Sequence, residues 1–373
     1  MTKDRHKQFD ASRETAWSNR VYLTNKDESF LQKRERKSID YNLLEAKAPF
    51  PKNALIELTS ACNHKCIFCM NPRMKRKPKK LDLDIFEKFA TDAAELGLEE
   101  IGFYTTGEPL VSKNLKNFIK ISADAGIGYI YITTNGALAN IEKMKSLIDS
   151  GLNSVKFSIN AGTRETYKLI HGKDDFDKVL KNIRDLKNFR DTEAKHVKLM
   201  ASFVATSFSD NEVGIWKELI LPHVDDAKIM GVHGQMGQSL EYLHLIESKF
   251  TTSYPEEGSA KPCHMLWDRI HLTQEGYLTL CCVDYENSLT YADLNESTLK
   301  EAWNSPIIQD MRKRHLDKNL KGTLCHNCLY GAEEPFSPLS TIGNSNTTRL
   351  NERGEKDVAN RIEQLARIDS DRR

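Results

Sequence analysis

The sequence predicts an α/β fold built on a parallel sheet. Two observations predict it. Between residues 54 and 232, six short apolar runs alternate with amphipathic stretches of helical spacing. Six such runs in succession, each separated by a helix, require parallel strands joined by right-handed crossovers.

The elements follow in chain order. Residues 1–50 are polar and mixed in charge, with scattered aromatics at Trp17, Tyr22, Phe30 and Tyr41. They are expected to form a helical or irregular extension on the outside of the sheet, ending near Pro49–Lys52. Residues 51–240 hold the expected strands Ala54–Leu58, Glu100–Tyr104, Tyr129–Thr133, Ser154–Ile159, Lys198–Ala205 and Lys228–Val232. Helices are expected over Asp82–Leu96, Asn114–Ala125, Ile141–Ser150, Phe176–Phe189 and Asn211–Leu221. In the first, Ile85, Phe86, Phe89, Ala93 and Leu96 recur at helical spacing. Periodicity does not decide between an open doubly wound sheet and a partial barrel. Residues 241–262 contain Glu-Glu-Gly-Ser-Ala-Lys-Pro and read as a linker. Residues 263–335 form a second, cysteine-bearing unit. Residues 336–373 read as a tail, rich in Pro, Ser, Asn and Thr to about Leu350, with a short helix over Val358–Ile368.

Composition excludes several functions. Hydrophobic residues make up 39% and charged residues 29% of the 373, so the chain buries a core rather than remaining disordered. The net charge of +1 supplies no overall field for nucleic acid or a membrane surface. No apolar run approaches the roughly 18–20 residues that span a bilayer. The charged start, Met1-Thr-Lys-Asp-Arg-His-Lys, has no apolar stretch behind it, so a cytoplasmic location is expected. Eight cysteines fall in tight groups, which in a reducing compartment argues for metal ligation over disulfides.

The first group is Thr59-Ser-Ala-Cys62-Asn-His-Lys-Cys66-Ile-Phe-Cys69, a C-x3-C-x2-C spacing directly after the first strand. Thiolates suit iron–sulfur clusters and zinc. A structural zinc site wants four ligands, and no further cysteine occurs until Cys263. His64 lies inside the loop, where its reach as a fourth ligand is poor. Three thiolates on a four-iron cluster leave one iron open.

This loop, with aromatic Phe68 before its last cysteine, resembles the radical S-adenosylmethionine (SAM) superfamily. The second strand end, Tyr104-Thr-Thr106-Gly107-Glu108-Pro109, resembles that family's GGEP motif, with Thr106 replacing the first glycine. The resemblance implies a partial (β/α)6 TIM-like barrel. It also implies a [4Fe-4S] cluster on Cys62, Cys66 and Cys69 whose open iron binds SAM. An electron from the cluster cleaves SAM to a 5′-deoxyadenosyl radical that abstracts hydrogen from substrate. The Thr106–Pro109 loop is implied to hold the SAM amino group through backbone carbonyls and the Glu108 side chain. Ser158 and Asn160, at the fourth strand end, are implied contacts for the ribose and carboxylate; alternation along a strand would put them on one face. One of them could instead cap the following helix. The strand-five segment Ala201–Thr206 is loosely implied to flank the adenine.

The second group is Cys263, then Gly276 and Cys281 as C-x12-G-x4-C, then Cys325-x2-Cys328. Four thiolates can close an iron–sulfur cluster or a zinc site. Alternating apolar residues around Gly276 fit a β-hairpin turning at Gln274-Glu275-Gly276. With Pro262-Cys263-His-Met-Leu-Trp267 and Leu299-Lys-Glu-Ala-Trp303, this resembles the SPASM and twitch extensions of radical SAM enzymes. No cysteine follows Cys328, which matches the shortened twitch form with one auxiliary [4Fe-4S] cluster. Cys282 is a spare; a strand would place it on the face opposite Cys281.

The twitch form resembles that of the aminocyclitol dehydrogenase type, which implies oxidation of an alcohol to a ketone on a carbohydrate-like small molecule, with the auxiliary cluster accepting an electron. His233, Asp284 and Tyr285 are candidates for the proton acceptor. The alternatives are a peptide-modifying maturase or epimerase and, from another class, a zinc-stabilised binding module. Residues 1–50 are short for the peptide-binding domain of many maturases. The zinc module does not explain three cysteines followed by Gly-Glu-Pro. The basic run Arg73–Lys80 reads as a solvated loop, or as a dock for an acidic electron donor such as flavodoxin or ferredoxin or for a phosphorylated substrate. It has no interleaved aromatic platform for nucleic acid.

Overall fold

The computed structural model describes residues 8–9, 20–24, 29–35, 40–235, 240–251, 253–343 and 352–371. The strands are β1 (Gln8–Phe9), β2 (Val21–Thr24), β3 (Asn53–Ile56), β4 (Glu100–Phe103), β5 (Tyr129–Thr134), β6 (Ser154–Ser158), β7 (Lys198–Ala205), β8 (Asp226–Gly231), β9 (Arg269–Leu272), β10 (Tyr277–Thr279) and β11 (Thr290–Asp293). β3 to β8 lie side by side in chain order, each parallel to the next. They form the expected six-stranded partial barrel, and the barrel does not close: the sheet ends at β1 and β11.

Two pairings at its edges were not legible in the sequence. β2 adds antiparallel to β8, so the N-terminal extension is partly a strand of the sheet rather than a layer outside it. On the opposite edge β9 runs parallel to β3, pairing Asn53 with Arg269 and Ile56 with Leu272. The antiparallel β9–β10–β11 unit thereby continues the barrel sheet directly.

The core follows from strand alternation. In β6, Val155 and Phe157 are buried while Lys156 and Ser158 are half-buried. Helix Leu83–Glu95 starts at Asp82, whose carboxylate accepts the Asp84 and Ile85 N–H groups at 2.9 and 3.2 Å. Its buried face sets the Phe86 ring 4.9 Å from Phe118 and 5.8 Å from Phe103. Each such ring contributes about 1.5–3 kcal/mol by leaving water.

Residues 241–262 are less extended than a linker, since they begin inside helix Leu240–Ile246. The tail helix is longer than its apolar spacing indicated, covering Glu352–Asp371. It buries Val358, Ile362 and Leu365 and packs on the turn Asn71–Arg73 and on helix Arg164–His171. Gly354 sits so close to Pro72 that a Cβ would strike the Pro72 carbonyl. No helix among the described residues is long and apolar enough to cross a membrane.

Candidate functional site

The loop after β3 folds back along the end of helix Arg164–His171. Lys65 and Ile67 donate backbone N–H groups to the His171 and Ile170 carbonyls at 2.9 and 3.0 Å. This turns Cys62, Cys66 and Cys69 toward one another, near enough for each charge to act on the next. Burial pushes the Cys62 thiol up to about 12, with the Glu108 carboxylate and Cys69 adding to it. Burial, then Cys69 and Cys62, push Cys66 well above its ordinary value. Three half-buried thiols in one another's company suit a positively charged metal centre, which removes their protons on binding. Asn71 braces the loop: its amide donates to the Ser60 and Thr106 carbonyls, both at 2.7 Å, and its backbone N–H reaches Cys69 Sγ at 3.4 Å. Phe68 is half-buried against the barrel core.

The loop after β4 meets this turn closely. A Cβ on Gly107 would strike the Thr59 and Ala61 carbonyls, so only glycine fits. Thr106 donates its hydroxyl to Glu57, which gives the residue in the first glycine's place a structural partner. Pro109 opens a short 3-10 turn, Pro109–Val111, capped by Glu108. The Glu108 carboxylate is buried and accepts from the Leu110 N–H (3.0 Å), the Thr134 hydroxyl (2.7 Å) and the Asn135 N–H (2.8 Å). Three protein donors therefore already occupy the group expected to meet the SAM ammonium, and one of its roughly four acceptor positions is left. The buried Thr105 and Thr133 hydroxyls, at the ends of β4 and β5, have no hydrogen-bond partner among the described residues. Two orphaned hydroxyls at the ends of neighbouring parallel strands suit a polar ligand such as SAM.

Ser158 and Asn160 separate. β6 ends at Ser158, so alternation no longer relates them. Asn160 is buried; its Oδ1 accepts the Val204 N–H at 2.8 Å and its Nδ2 lies 3.2 Å from His171. Neither residue caps the next helix, where Thr163 does so.

The second cysteine group assembles from three segments. Cys263 precedes the short helix Met265–Asp268, Cys281 follows β10, and Cys325 and Cys328 lie on helix Leu324–Tyr330. Burial, then Cys328, push Cys263 up to about 12; burial, then Cys263 and Cys328, raise Cys325 well above its ordinary value. The expected hairpin turn is present, with Gly276 at φ +86°. The alternation argument for Cys282 fails, because β10 stops at Thr279 and the doublet lies in a turn. The neighbouring thiols share one ionisation: their interaction raises Cys281 and lowers Cys282, and His271 and Arg269 help to lower the latter.

The three proton-acceptor candidates fare differently. Asp284 holds its own turn: its carboxylate accepts from the Thr279 hydroxyl and from the Ser288 and Leu289 N–H groups at 2.7–2.8 Å. Tyr285 is kept a phenol, raised by burial and then by Cys69, and its hydroxyl lies 3.5 Å from Cys69 Sγ. His233 is lowered to about 4 by burial and is neutral at pH 7.

Sequence reasoning missed the joint between the two cysteine units. Arg76 makes a bidentate pair with Glu57 (2.8 and 2.6 Å), reaches Glu275 at 2.8 Å and donates Nε to the Tyr285 carbonyl at 2.9 Å. Burial opposes its charge, but Glu57 and Glu275 outweigh that and hold its pKa above the usual value. The basic run is therefore no uniform solvated loop: Arg73 and Arg76 turn inward, and Lys77, Lys79 and Lys80 remain exposed. Residues 19 and 199 positions apart meet here, so no local pattern announced it.

A profile of the radical SAM superfamily matches residues 56–197. A profile of the SPASM iron–sulfur cluster-binding domain matches residues 263–329. GTP 3′,8-cyclase of Desulforamulus reducens is 37% identical over 133 residues, 35% of this chain and 40% of the cyclase. The chain spans about half the length or less of the first curated relatives it matches. Among solved structures, BtrN in complex with AdoMet and 2-DOIA superposes with a TM-score of 0.53 at 17% identity, covering 78% of this chain and 98% of BtrN. Streptococcus suis SuiB bound to precursor peptide SuiA gives 0.57 at 16%, covering 82% and 77%. At these identities the likeness is one of fold.

Proposed function

We propose a function from one premise: the chain carries a radical SAM domain and a SPASM domain, and with them SAM, a [4Fe-4S] cluster and auxiliary iron–sulfur as cofactors. The protein oxidises an alcohol of a carbohydrate-like small molecule to a ketone. One observation carries this reading. The charges of Cys263 and Cys328 act on Cys281 and on Cys325, so four cysteines from three segments lie close together. Four thiolates fit a single closed auxiliary cluster, which suits an electron acceptor better than a substrate-binding metal.

When bound, SAM and the cluster on Cys62, Cys66 and Cys69 supply a hydrogen-atom acceptor. The residues of the chain do the rest. The carbinol carbon loses a hydrogen atom and its hydroxyl loses a proton. An auxiliary cluster held by Cys263, Cys281, Cys325 and Cys328 would supply the acceptor for the second electron, completing the two-electron oxidation. His233, neutral and two residues beyond β8, takes the proton. Tyr285, between the cysteine groups, stays protonated and donates to the Cys69 sulfur. The exposed Lys77, Lys79 and Lys80 offer an acidic flavodoxin or ferredoxin a docking charge. A reducing cytoplasm suits eight cysteines grouped for metal ligation.

The test is anaerobic turnover of the reconstituted protein with SAM, a reductant and a panel of aminocyclitols and sugars deuterated at each carbinol carbon. Deuterium in 5′-deoxyadenosine, with one ketone formed per SAM consumed, is the expected result. Turnover of peptides alone would replace this reading with a peptide-modifying one.

A further inference from the structure

His64, Cys66 and His171 bring one ligand atom each to within 4.8 Å of one another. The hydrogen bonds around them fix every proton. Asn160 Oδ1 accepts the Val204 N–H, so its Nδ2 must face His171. His171 Nε2 thus meets two N–H donors, the Asn160 backbone at 3.1 Å and Asn160 Nδ2 at 3.2 Å. It must be the acceptor, and the ring proton is on Nδ1. His64 Nε2 lies 3.2 Å from the Asp175 carboxylate, which only accepts, so His64 carries its proton there and its Nδ1 is bare. The His171 Nδ1–H then has two acceptors, His64 Nδ1 at 3.3 Å and Cys66 Sγ at 3.7 Å.

The fold holds this donor rigidly. His171 is fully buried at the last turn of helix Arg164–His171, stacked on Tyr167 at 4.0 Å, with Gly172 closing the helix. Its carbonyl accepts Lys65 N–H of the cysteine loop. The Arg361 guanidinium of the tail helix caps the neighbouring Leu169 carbonyl at 3.0 Å.

We propose that His171 is a positioning residue that tunes the reduction potential of the cluster on Cys62, Cys66 and Cys69 by donating Nδ1–H to the Cys66 sulfur, with His64 as the competing acceptor. The proposal rests on the cluster reading above. A hydrogen bond to a ligating sulfur disperses negative charge and favours the reduced cluster. Removing the donor therefore makes the cluster harder to reduce. Removing the competitor gives the whole hydrogen bond to sulfur and makes it easier.

The experiment is a redox titration of the reconstituted two-cluster protein, followed by the electron paramagnetic resonance signal that SAM perturbs. In His171→Phe, which keeps the ring on Tyr167, the reduced-to-oxidised ratio at the unsubstituted midpoint should fall about tenfold, or about 59 mV for one electron. In His64→Leu the ratio should rise severalfold. The signal that SAM leaves unchanged reports the auxiliary cluster and should keep its midpoint in both variants, which checks the fold. Unchanged midpoints, or shifts of the same sign in both variants, overturn the inference while the cluster reading stands. One zinc per chain that disappears in His64→Leu overturns it too, since the three residues would then be a separate metal site. If the unsubstituted protein gives no SAM-perturbed signal, the cluster reading fails and the inference with it.

Discussion

Cys62, Cys66 and Cys69 leave one short loop, whereas Cys263, Cys281, Cys325 and Cys328 come from three segments brought together by the fold. The difference extends to what holds each site. The first loop is braced from outside, by Asn71, by the end of helix Arg164–His171 and by the tail helix. The second is held largely within its own unit: Cys263 N–H donates to His315 at 3.4 Å, and helix Leu324–Tyr330 is capped by Thr323. A site proposed to leave one iron open gains from external supports that leave its mouth free. A closed site can be wrapped by its own chain. Arg76, between Glu57 and Glu275, ties the two together.

The sharpest way to break this comparison is to remove one site and read the other. Cys62→Ala, Cys66→Ala, Cys69→Ala together should abolish SAM cleavage and leave about four of about eight irons per chain, by iron and sulfide assay. Zinc or no metal in that variant would remove the auxiliary electron acceptor. The reciprocal change, Cys325→Ala, should cut ketone formation by about 100-fold or more, as loss of an essential group does. 5′-Deoxyadenosine should still form within a few-fold; parallel loss of both would show that the sites do not function separately.

Smaller effects sharpen the picture. Arg76→Met leaves two buried carboxylates without their cation and should destabilise the protein by about 3–5 kcal/mol in urea unfolding. An unchanged midpoint would mean the units hold together without that joint. His315 and His233 are both depressed to about 4 by burial, so the folded chain stays neutral there while the unfolded chain takes up protons near pH 6.5. Apo-protein stability should therefore be full above about pH 6.5 and fall toward pH 4 by up to about 1.4 kcal/mol per pH unit per histidine. His315→Asn should remove one histidine's share of that slope. The smallest change belongs to Cys282→Ala, which on the proposal that Cys281 is the ligand should leave iron content unaltered; loss of about four irons would reverse that assignment.

Much of this was legible because it is local. The C-x3-C-x2-C loop, Gly-Glu-Pro and the turn at Gly276 are each set by neighbours a few residues away, and all six barrel strands showed in their apolar runs. The alternation that paired Ser158 with Asn160 was not a safe guide, because it holds only while the strand lasts and β6 ends at Ser158. The three donors on the Asp284 carboxylate were not legible, because they come from a turn whose shape the sequence does not print.

The sequence alone determined the residue types and spacings that make two metal sites, since ligand chemistry is written in side chains and short loops. Only the tertiary structure decided which charges are buried, which hydrogen of His171 faces Cys66, and that β9 joins β3. Those outcomes depend on contacts between residues 216 positions apart and more, as with Cys69 and Tyr285. Such contacts form only when the hydrophobic core has fixed the strands and helices that carry them.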